Sequence, residues 1–303
     1  MIKVRIPATS ANLGAGFDCL GLALSLYNEI EVAEAQGLHI TSKDDTEIPT
    51  GEDNLVYQTV RHLYELCGRP FPGLSLLQTN RIPLARGLGS SSACIAGGLI
   101  GGNALLGNPF SLDELIVIAA QLEGHPDNST PALLGGLVTA VMDGEKVYYT
   151  HQRLPKDLAF AAIIPDFELR TSYARKALPD AVSHMDARFN AGRAALMATS
   201  LATGQYQNLA AACQDRLHQP YRIGLIDRGS KTLELCQSSG ALASFISGSG
   251  STLLAIFEKE NADFPTKIRE GLADLRISHW GLHILEGDNK GACLLDEAGT
   301  PLA

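Results

Sequence analysis

The segment PLARGLGSSSA, residues 83 to 93, has the residue types of a phosphate-binding loop. It stands between a predicted strand ending near Ile82 and a predicted helix over residues 93–106. The start of a helix carries unpaired backbone N–H groups and a partial positive charge, so anions bind there readily. The sequence therefore predicts a phosphate site at which Gly87 and Gly89 let the anion approach the backbone closely.

The three serines after these glycines have more than one use. Ser90, Ser91 and Ser92 could cap the helix, bond phosphate oxygens or bind Mg²⁺, which prefers hard oxygen ligands. The segment is not a Walker A loop, because it lacks the lysine, and it is not the dinucleotide fingerprint, because the third glycine is missing. Taken alone, it leaves a plain serine cap after a glycine turn as the alternative.

A second polar group lies in LEGHPDN, residues 122 to 128. Glu123 ends a predicted helix, and His125, Asp127 and Asn128 follow directly. Carboxylate, imidazole and amide groups at this density suit a metal ion and a reacting hydroxyl. The alternative is a hydrated loop at a helix end.

Two arginines in separate segments could hold a carboxylate. TSYAR places Thr171 and Arg175 four residues apart, on one face of a predicted helix, and LHQPYR supplies Arg222. Each guanidinium presents a planar fork that matches two carboxylate oxygens. Either arginine alone would be read as an ordinary surface residue.

The chain resembles the GHMP kinases in three segments that occur in that family's order. These are PATSANLGAGFDCLG from Pro7 to Gly21, PLARGLGSSSA from Pro83 to Ala93, and SGSGSTLLAIF from Ser247 to Phe257. The first segment is similar to the homoserine kinase branch in particular. The resemblance implies an α+β fold, with an N-terminal domain of the ribosomal S5 domain 2-like type and a C-terminal ferredoxin-like domain.

The resemblance also implies ATP and Mg²⁺ as cofactors. Ser91 and Glu123 would bind the magnesium ion. Asn128 would act at the reacting hydroxyl, and whether Asp127 removes the proton is left open. The residues that would contact the nucleotide form one continuous run: Pro83, Leu84, Ala85, Arg86, Gly87, Leu88, Gly89, Ser90, Ser91, Ser92 and Ala93.

The small-molecule substrate implied by the branch is L-homoserine, phosphorylated on its hydroxyl in threonine biosynthesis. Arg175 and Arg222 would bind its carboxylate and Asp18 its ammonium group, since a buried cation without a partner is costly. A cap for a helix starting near Cys19 is the alternative use of Asp18. The full set implied for the substrate is Asn12, Asp18, His125, Thr171, Arg175, Arg222 and Gly248.

Two departures from the branch are visible. Gln219 stands where glutamate is usual, and Ser129-Thr130-Pro131 stands where Val-Ala-Pro is usual; we expect structural roles at the latter positions. Two other functions remain open: another GHMP small-molecule kinase of the mevalonate-pathway type, and a non-catalytic ligand-binding relative. The first would need no arginine pair, and the second would lose Glu123 or the serines.

The predicted elements mix strands and helices without strict alternation, which favours an α+β fold. Asp53 is the predicted cap of a helix ending at Cys67, and Ser111 with Glu114 has the spacing of a capping box. Residues 138–150 predict a hairpin around Asp-Gly. A boundary near Pro155 divides the chain into domains 1–155 and 156–303.

Composition limits the partners. Acidic residues outnumber basic ones, 33 to 24, so a net charge of −9 gives no general attraction for nucleic acid or an anionic membrane. The six cysteines lie far apart and predict reduced thiols. Without a signal-like N-terminus or a long apolar span, the sequence predicts a cytoplasmic protein that could form a homodimer.

Overall fold

The computed structural model describes residues 1–44 and 46–302. Eleven strands lie in this part of the chain: β1 Ile2–Ala11, β2 Leu20–Glu34, β3 Gly37–Ser42, β4 Gly73–Thr79, β5 Leu137–Asp143, β6 Lys146–Gln152, β7 Leu158–Ile164, β8 Ala243–Ile246, β9 Leu253–Glu258, β10 Gly281–Leu285 and β11 Cys293–Leu295. The α-helices in the same residues are α1 Leu55–Leu66, α2 Ser90–Leu105, α3 Leu112–Glu123, α4 Pro126–Leu134, α5 Thr171–Lys176, α6 His184–Thr203, α7 Leu209–Ala212, α8 Gln219–Arg222, α9 Gly229–Ser238 and α10 Phe264–Asp274.

The first sheet has seven strands in the described residues. Its main path runs β11-β1-β2-β4-β3, and β5 pairs with β2 and with β6. Because β11 pairs with β1, the end of the chain returns to the sheet that its beginning forms. The predicted division at residue 155 separates β1–β6 from β7–β10, but the assignment of everything after it to a second unit does not hold for β11.

The second sheet has four strands in the order β10-β7-β9-β8, and every pair is antiparallel. Helices α5 to α9 lie between β7 and β8, and α10 lies between β9 and β10. This is the strand order of a ferredoxin-like domain, as the sequence resemblance implied. The predicted α+β class is confirmed. Trp280 is buried in the core of this sheet.

Helix α2 is held in the core of the first unit, and this fixes the loop before it. Ala93, Ile95 and Leu99 are all buried, and the helix packs on α1 and β1. Its glycines allow this close packing: a Cβ added at Gly98 would lie 2.8 Å from Thr59 of α1. A large residue there would push α2 away from α1.

Helix boundaries mostly follow the sequence signals. The capping box of Ser111 and Glu114 is present at α3, as predicted. The cap of α1 is Asn54 rather than Asp53, because the Asn54 side chain accepts from the N–H groups of Val56 and Tyr57. The predicted hairpin is present, although Asp143 still pairs with Lys146, so the turn lies one residue later than Asp-Gly suggested.

No helix begins at the residues directly after Asp18. The chain enters strand β2 at Leu20, which excludes a helix cap as the use of that carboxylate. Among the described residues, no helix combines the length and apolar character needed to cross a bilayer. All six cysteines are free thiols, as expected.

Candidate active site

The three glycine-rich segments meet at the loop before α2. The N–H of Thr9, in β1, donates to Leu88 O over 3.1 Å. From the other side, Ser247 Oγ donates to Gly87 O over 2.6 Å, and the Thr252 N–H donates to Arg86 O over 2.9 Å. The loop is therefore clamped between the first and second units.

The glycines of the loop are required by this clamp. Gly87 and Gly89 have φ values of +79° and +69°, in the left-handed region. A Cβ at Gly89 would overlap Thr9 Oγ1, and one at Gly87 would overlap Ser247 O. We expected these positions to need glycine for access by a phosphate; the structure shows a reason within the protein itself.

The start of α2 is open to an anion. Gly89 precedes the helix, no side chain caps it, and the first turn contains no acidic residue. The first N–H groups of a helix have no hydrogen-bond partner within that helix. The N–H groups of Ser90, Ser91 and Ser92, which line the cavity, are in this position and are available to an anion. The suggestion that a serine caps this helix is wrong, because the helix begins at Ser90.

A cavity of about 540 Å³ lies in front of this helix start. Three members of the predicted nucleotide run, Pro83, Leu88 and Ala93, are not among its lining residues; Leu88 and Ala93 are buried in the core. The other predicted site residues do line it: Leu84, Ala85, Arg86, Gly87, Gly89, Ser90, Ser91, Ser92, Asn12, Asp18, Glu123, His125, Asp127, Asn128, Thr171, Arg175, Arg222 and Gly248.

Glu123, at the end of α3, brings a carboxylate to the helix start. Ser92 Oγ donates a hydrogen bond to Glu123 Oε1, while Ser91, the predicted partner, is exposed. Glu123 Oε2 and Ser90 Oγ are both buried without a hydrogen-bond partner among the described residues. Burial raises the pKa of Glu123 to about 7. An unpaired carboxylate oxygen beside hydroxyls is a donor set that fits Mg²⁺.

The start of α4 carries two hydrogen-bonded pairs. His125 Nδ1 donates to Asp127 Oδ1 over 2.7 Å, and Asp127 is buried. Burial acts to lower the pKa of His125, but its hydrogen bond to Asp127 and the carboxylate charge outweigh burial and raise it. Thr9 Oγ1 donates to Asn128 Oδ1 over 2.8 Å, so the amide nitrogen of Asn128 is the end that faces away from Thr9.

Asp18 and Arg175 form a two-pronged ion pair across the cavity. Arg175 Nη2 and Nη1 donate to the two carboxylate oxygens over 2.8 and 3.1 Å. The side chains are 36% and 39% exposed, so this pair is open to a ligand. Asp18 is held in the left-handed region at φ +56°, and its N–H donates to Asn12 Oδ1. Asn12 Nδ2 in turn donates to Gly248 O over 2.7 Å.

Arg222 is a buried cation at the edge of the cavity, only 1% exposed. Burial and the nearby charge of Arg175 lower the pKa of Arg222 to about 10. Thr171 Oγ1 lies 3.2 Å from Ser249 Oγ, next to Gly248. The cavity thus holds a carboxylate and two guanidinium groups as well as the open start of α2.

Three residues that hold this site were not predicted from the sequence: Thr9, Phe17 and His218. The guanidinium carbons of Arg175 and Arg222 lie 5.7 and 5.2 Å from the centre of the Phe17 ring. All three residues lie within the quoted motifs, but nothing in their spacing indicated a role in the site. Gln219, the departure noted above, accepts from the Ile246 N–H and donates to Cys213 O, so it joins α8 to β8.

One cavity joins an uncapped helix start to an open ion pair, an arrangement that suits a small-molecule phosphotransferase. The N-terminal domain of the GHMP kinases matches residues 54–136, and their C-terminal domain matches residues 197–264. The chain belongs to the GHMP kinase family.

Two relatives with about half of their residues identical to this chain are homoserine kinases. A homoserine kinase from Caldicellulosiruptor saccharolyticus is 50% identical over 295 residues, covering 96% of each chain. One from Caldicellulosiruptor bescii is 48% identical, covering 100% of this chain and 99% of the other. The crystal structure of homoserine kinase from Cytophaga hutchinsonii superposes with a TM-score of 0.85 at 27% identity, covering 97% of each chain. A mevalonate kinase from L. major shares the fold, with a TM-score of 0.70 at 14% identity and coverage of 95% and 96%.

Proposed function

We propose that this chain transfers the γ-phosphoryl group of ATP to the hydroxyl of L-homoserine, giving O-phospho-L-homoserine and ADP. The observation that carries the proposal is the presence of Asp18, Arg175 and Arg222 in the same cavity as the start of α2. An α-amino acid brings one ammonium and one carboxylate, and this cavity offers both complements. The homoserine kinases that match this chain along its whole length support the same substrate.

ATP would bind with its phosphates at the start of α2. The N–H groups of Ser90, Ser91 and Ser92 and the dipole of a 16-residue helix favour the anion. We assign to the nucleotide those residues of the 83–93 run that line the cavity. GHMP kinases use ATP as phosphate donor, and the family match supports this assignment.

Glu123 and the serine hydroxyls would hold Mg²⁺. We predicted Ser91 as the partner of Glu123, and the contact between Ser92 and Glu123 makes Ser92 a second candidate. When bound, the ion would neutralise charge on the phosphates. A thermal melt with Mg²⁺ alone tests this assignment: the wild-type protein should gain stability at pH 8, and Glu123→Gln should not.

Homoserine would enter by exchanging partners with an existing ion pair. Its ammonium group would take the place of Arg175 at Asp18, and its carboxylate would take the place of Asp18 at Arg175, with Arg222 as the second cation. Each charge then keeps a partner, so opening the pair leaves neither side chain unpaired. A ligand with a carboxylate alone would leave Asp18 without its cation.

Asn128 would orient the reacting hydroxyl through its amide nitrogen, because its oxygen is held by Thr9. The hydroxyl oxygen attacks the γ-phosphorus, the bond from that phosphorus to the β-γ bridging oxygen breaks, and ADP leaves. The hydroxyl proton passes to an oxygen of the transferred phosphoryl group and from there to water. A loose transition state needs positioning and charge stabilisation more than a strong base. Asp127 already accepts a hydrogen bond from His125, so we propose that this pair orients the substrate rather than providing a free base.

The test is an ADP-release assay with ATP and a panel of homoserine, mevalonate, galactose and shikimate. We expect turnover with homoserine alone. Turnover with mevalonate and none with homoserine would favour a mevalonate-pathway enzyme. ATP binding without turnover of any compound would favour a non-catalytic relative.

A further inference from the structure

We propose that His218 is a positioning residue that fixes the guanidinium of Arg222 for the carboxylate of the substrate. This inference rests on the proposed function for the identity of that carboxylate. His218 is fully buried and does not line the cavity, so it acts through Arg222 rather than on the ligand.

The partners of the imidazole settle where its proton lies. His218 Nε2 is 2.7 Å from Gly14 O, and His218 Nδ1 is 3.3 Å from Arg222 Nη1. A carbonyl oxygen only accepts and a guanidinium only donates. The ring is therefore neutral, with its proton on Nε2 and the lone pair of Nδ1 facing Arg222. Burial, which lowers the pKa of His218, favours the same neutral form.

The imidazole is itself held from two directions. Asp215 accepts from the N–H groups of Leu217, His218 and Gln219, which fixes the backbone at the start of α8. The ring lies flat against Phe17, with centroids 5.2 Å apart and an angle of 20° between the planes. A ring fixed in both place and tilt presents Nδ1 in a single direction.

Arg222 makes its hydrogen bonds within the protein through two of its three guanidinium nitrogens, Nε and Nη1. Nε donates to Ala174 O over 3.4 Å, and Nη1 donates to Gly248 O over 3.4 Å as well as to His218 Nδ1. Among the described residues, His218 is the side chain that receives a hydrogen bond from this guanidinium. These hydrogen bonds do not use Nη2. Nη2 can therefore donate to a carboxylate oxygen in the cavity that Arg222 lines.

Two substitutions distinguish the roles of the two ring nitrogens of His218. His218→Asn places an amide oxygen where Nδ1 stands, so it keeps an acceptor for Arg222 and loses the donor to Gly14. His218→Gln places an amide nitrogen where Nε2 stands, so it keeps the donor and loses the acceptor. Both variants remove the ring from Phe17, so each is the matched control of the other.

We expect His218→Gln to raise the KM for homoserine about tenfold above that of His218→Asn, as loss of one hydrogen bond to a charged group predicts. The KM for ATP should agree within about twofold between the variants, since the hydrogen bonds of Arg222 go to Ala174, His218 and Gly248 and not to the start of α2. Melting temperatures of both variants report folding. The inference is overturned if both folded variants have the same KM for homoserine, or if the KM for ATP rises in parallel.

If neither variant folds, Phe17→Leu provides a second measurement. It removes the surface against which the ring of His218 is stacked, and with it the ring face near Arg175 and Arg222. The KM for homoserine should rise while the KM for ATP is spared; no change would also overturn the inference. Failure of the proposed function is distinguishable from either result, because wild-type protein would then not phosphorylate homoserine at all.

Discussion

Replacing Asp18 by asparagine separates the stability of the site from its charge. In the free protein, Asp18 pairs with Arg175, and both side chains are more than one third exposed. An exposed pair of this kind contributes about 0–1 kcal/mol to the free energy of unfolding. Asparagine also tolerates the left-handed backbone at this position, and the N–H bond to Asn12 does not involve the side chain of residue 18. Asp18→Asn should therefore melt within a few degrees of the parent.

The effect on the bound substrate should be much larger. A hydrogen bond between a charged pair is worth about 1.5–3 kcal/mol, which corresponds to a rise in the KM for homoserine of about ten- to 150-fold. The KM for ATP should change little, because the helix start that would bind phosphate keeps its N–H groups. The ADP-release assay measures the two KM values, and a thermal melt of the same preparation measures the stability.

A second substrate decides why Asp18 matters. 4-Hydroxybutyrate has the hydroxyl and carboxylate of homoserine but no ammonium group. If Asp18 binds the ammonium, Asp18→Asn should lose its preference for homoserine over 4-hydroxybutyrate. If Asp18 only orients Arg175, both substrates should weaken by the same factor. Full activity with retained stability would refute the role of Asp18 altogether.

Three further predictions follow from the same geometry. Arg175→Ala should raise the KM for homoserine about ten- to 150-fold and spare that for ATP, whereas homoserine methyl ester, which has no carboxylate, should lose little; equal losses would contradict a carboxylate role. The raised pKa of Glu123 means that the folded state holds its proton more tightly than the unfolded state, so stability should fall by up to about 3 kcal/mol as pH rises from 4.5 to 7. Glu123→Gln should lack that slope in melts across this pH range, and parallel curves would contradict the assignment. Thr9→Val should lower kcat about two- to tenfold by freeing the amide of Asn128, and Thr9→Ser should restore it; equal rates for the two variants would argue against this contact.

The α+β class and the elements around the glycine-rich loop were predicted because each has a local signal, whereas the ferredoxin-like unit was implied only by the family resemblance. Ser111 and Glu114 form their capping box within four residues, and glycine marks the ends of α3 and α6. Most of the predicted site residues line one cavity. They could be selected from the sequence because each belongs to a short segment that is recognisable by itself.

What the sequence could not give is the pairing between distant segments. Asp18 and Arg175 are 157 positions apart, and nothing local indicates that they bind each other before a ligand arrives. The choice of Ser92 over Ser91 beside Glu123 depends on the exact start of α2, because one residue turns a helix by about 100°. Asn54 and Asp53 are both good caps, and Asn54 also bonds Gln78, a contact that only the folded chain provides.

The pairing of β11 with β1 has a consequence for how the chain is made. Strand β1 leaves the ribosome long before strand β11, which covers its outer edge. Until Cys293–Leu295 emerges, that edge carries unpaired N–H and C=O groups that could recruit a strand from another nascent chain. Closing the sheet across nearly the whole length of the polypeptide is also entropically slow. The first unit, although almost complete by residue 152, must wait for the synthesis of β11 before its sheet can close.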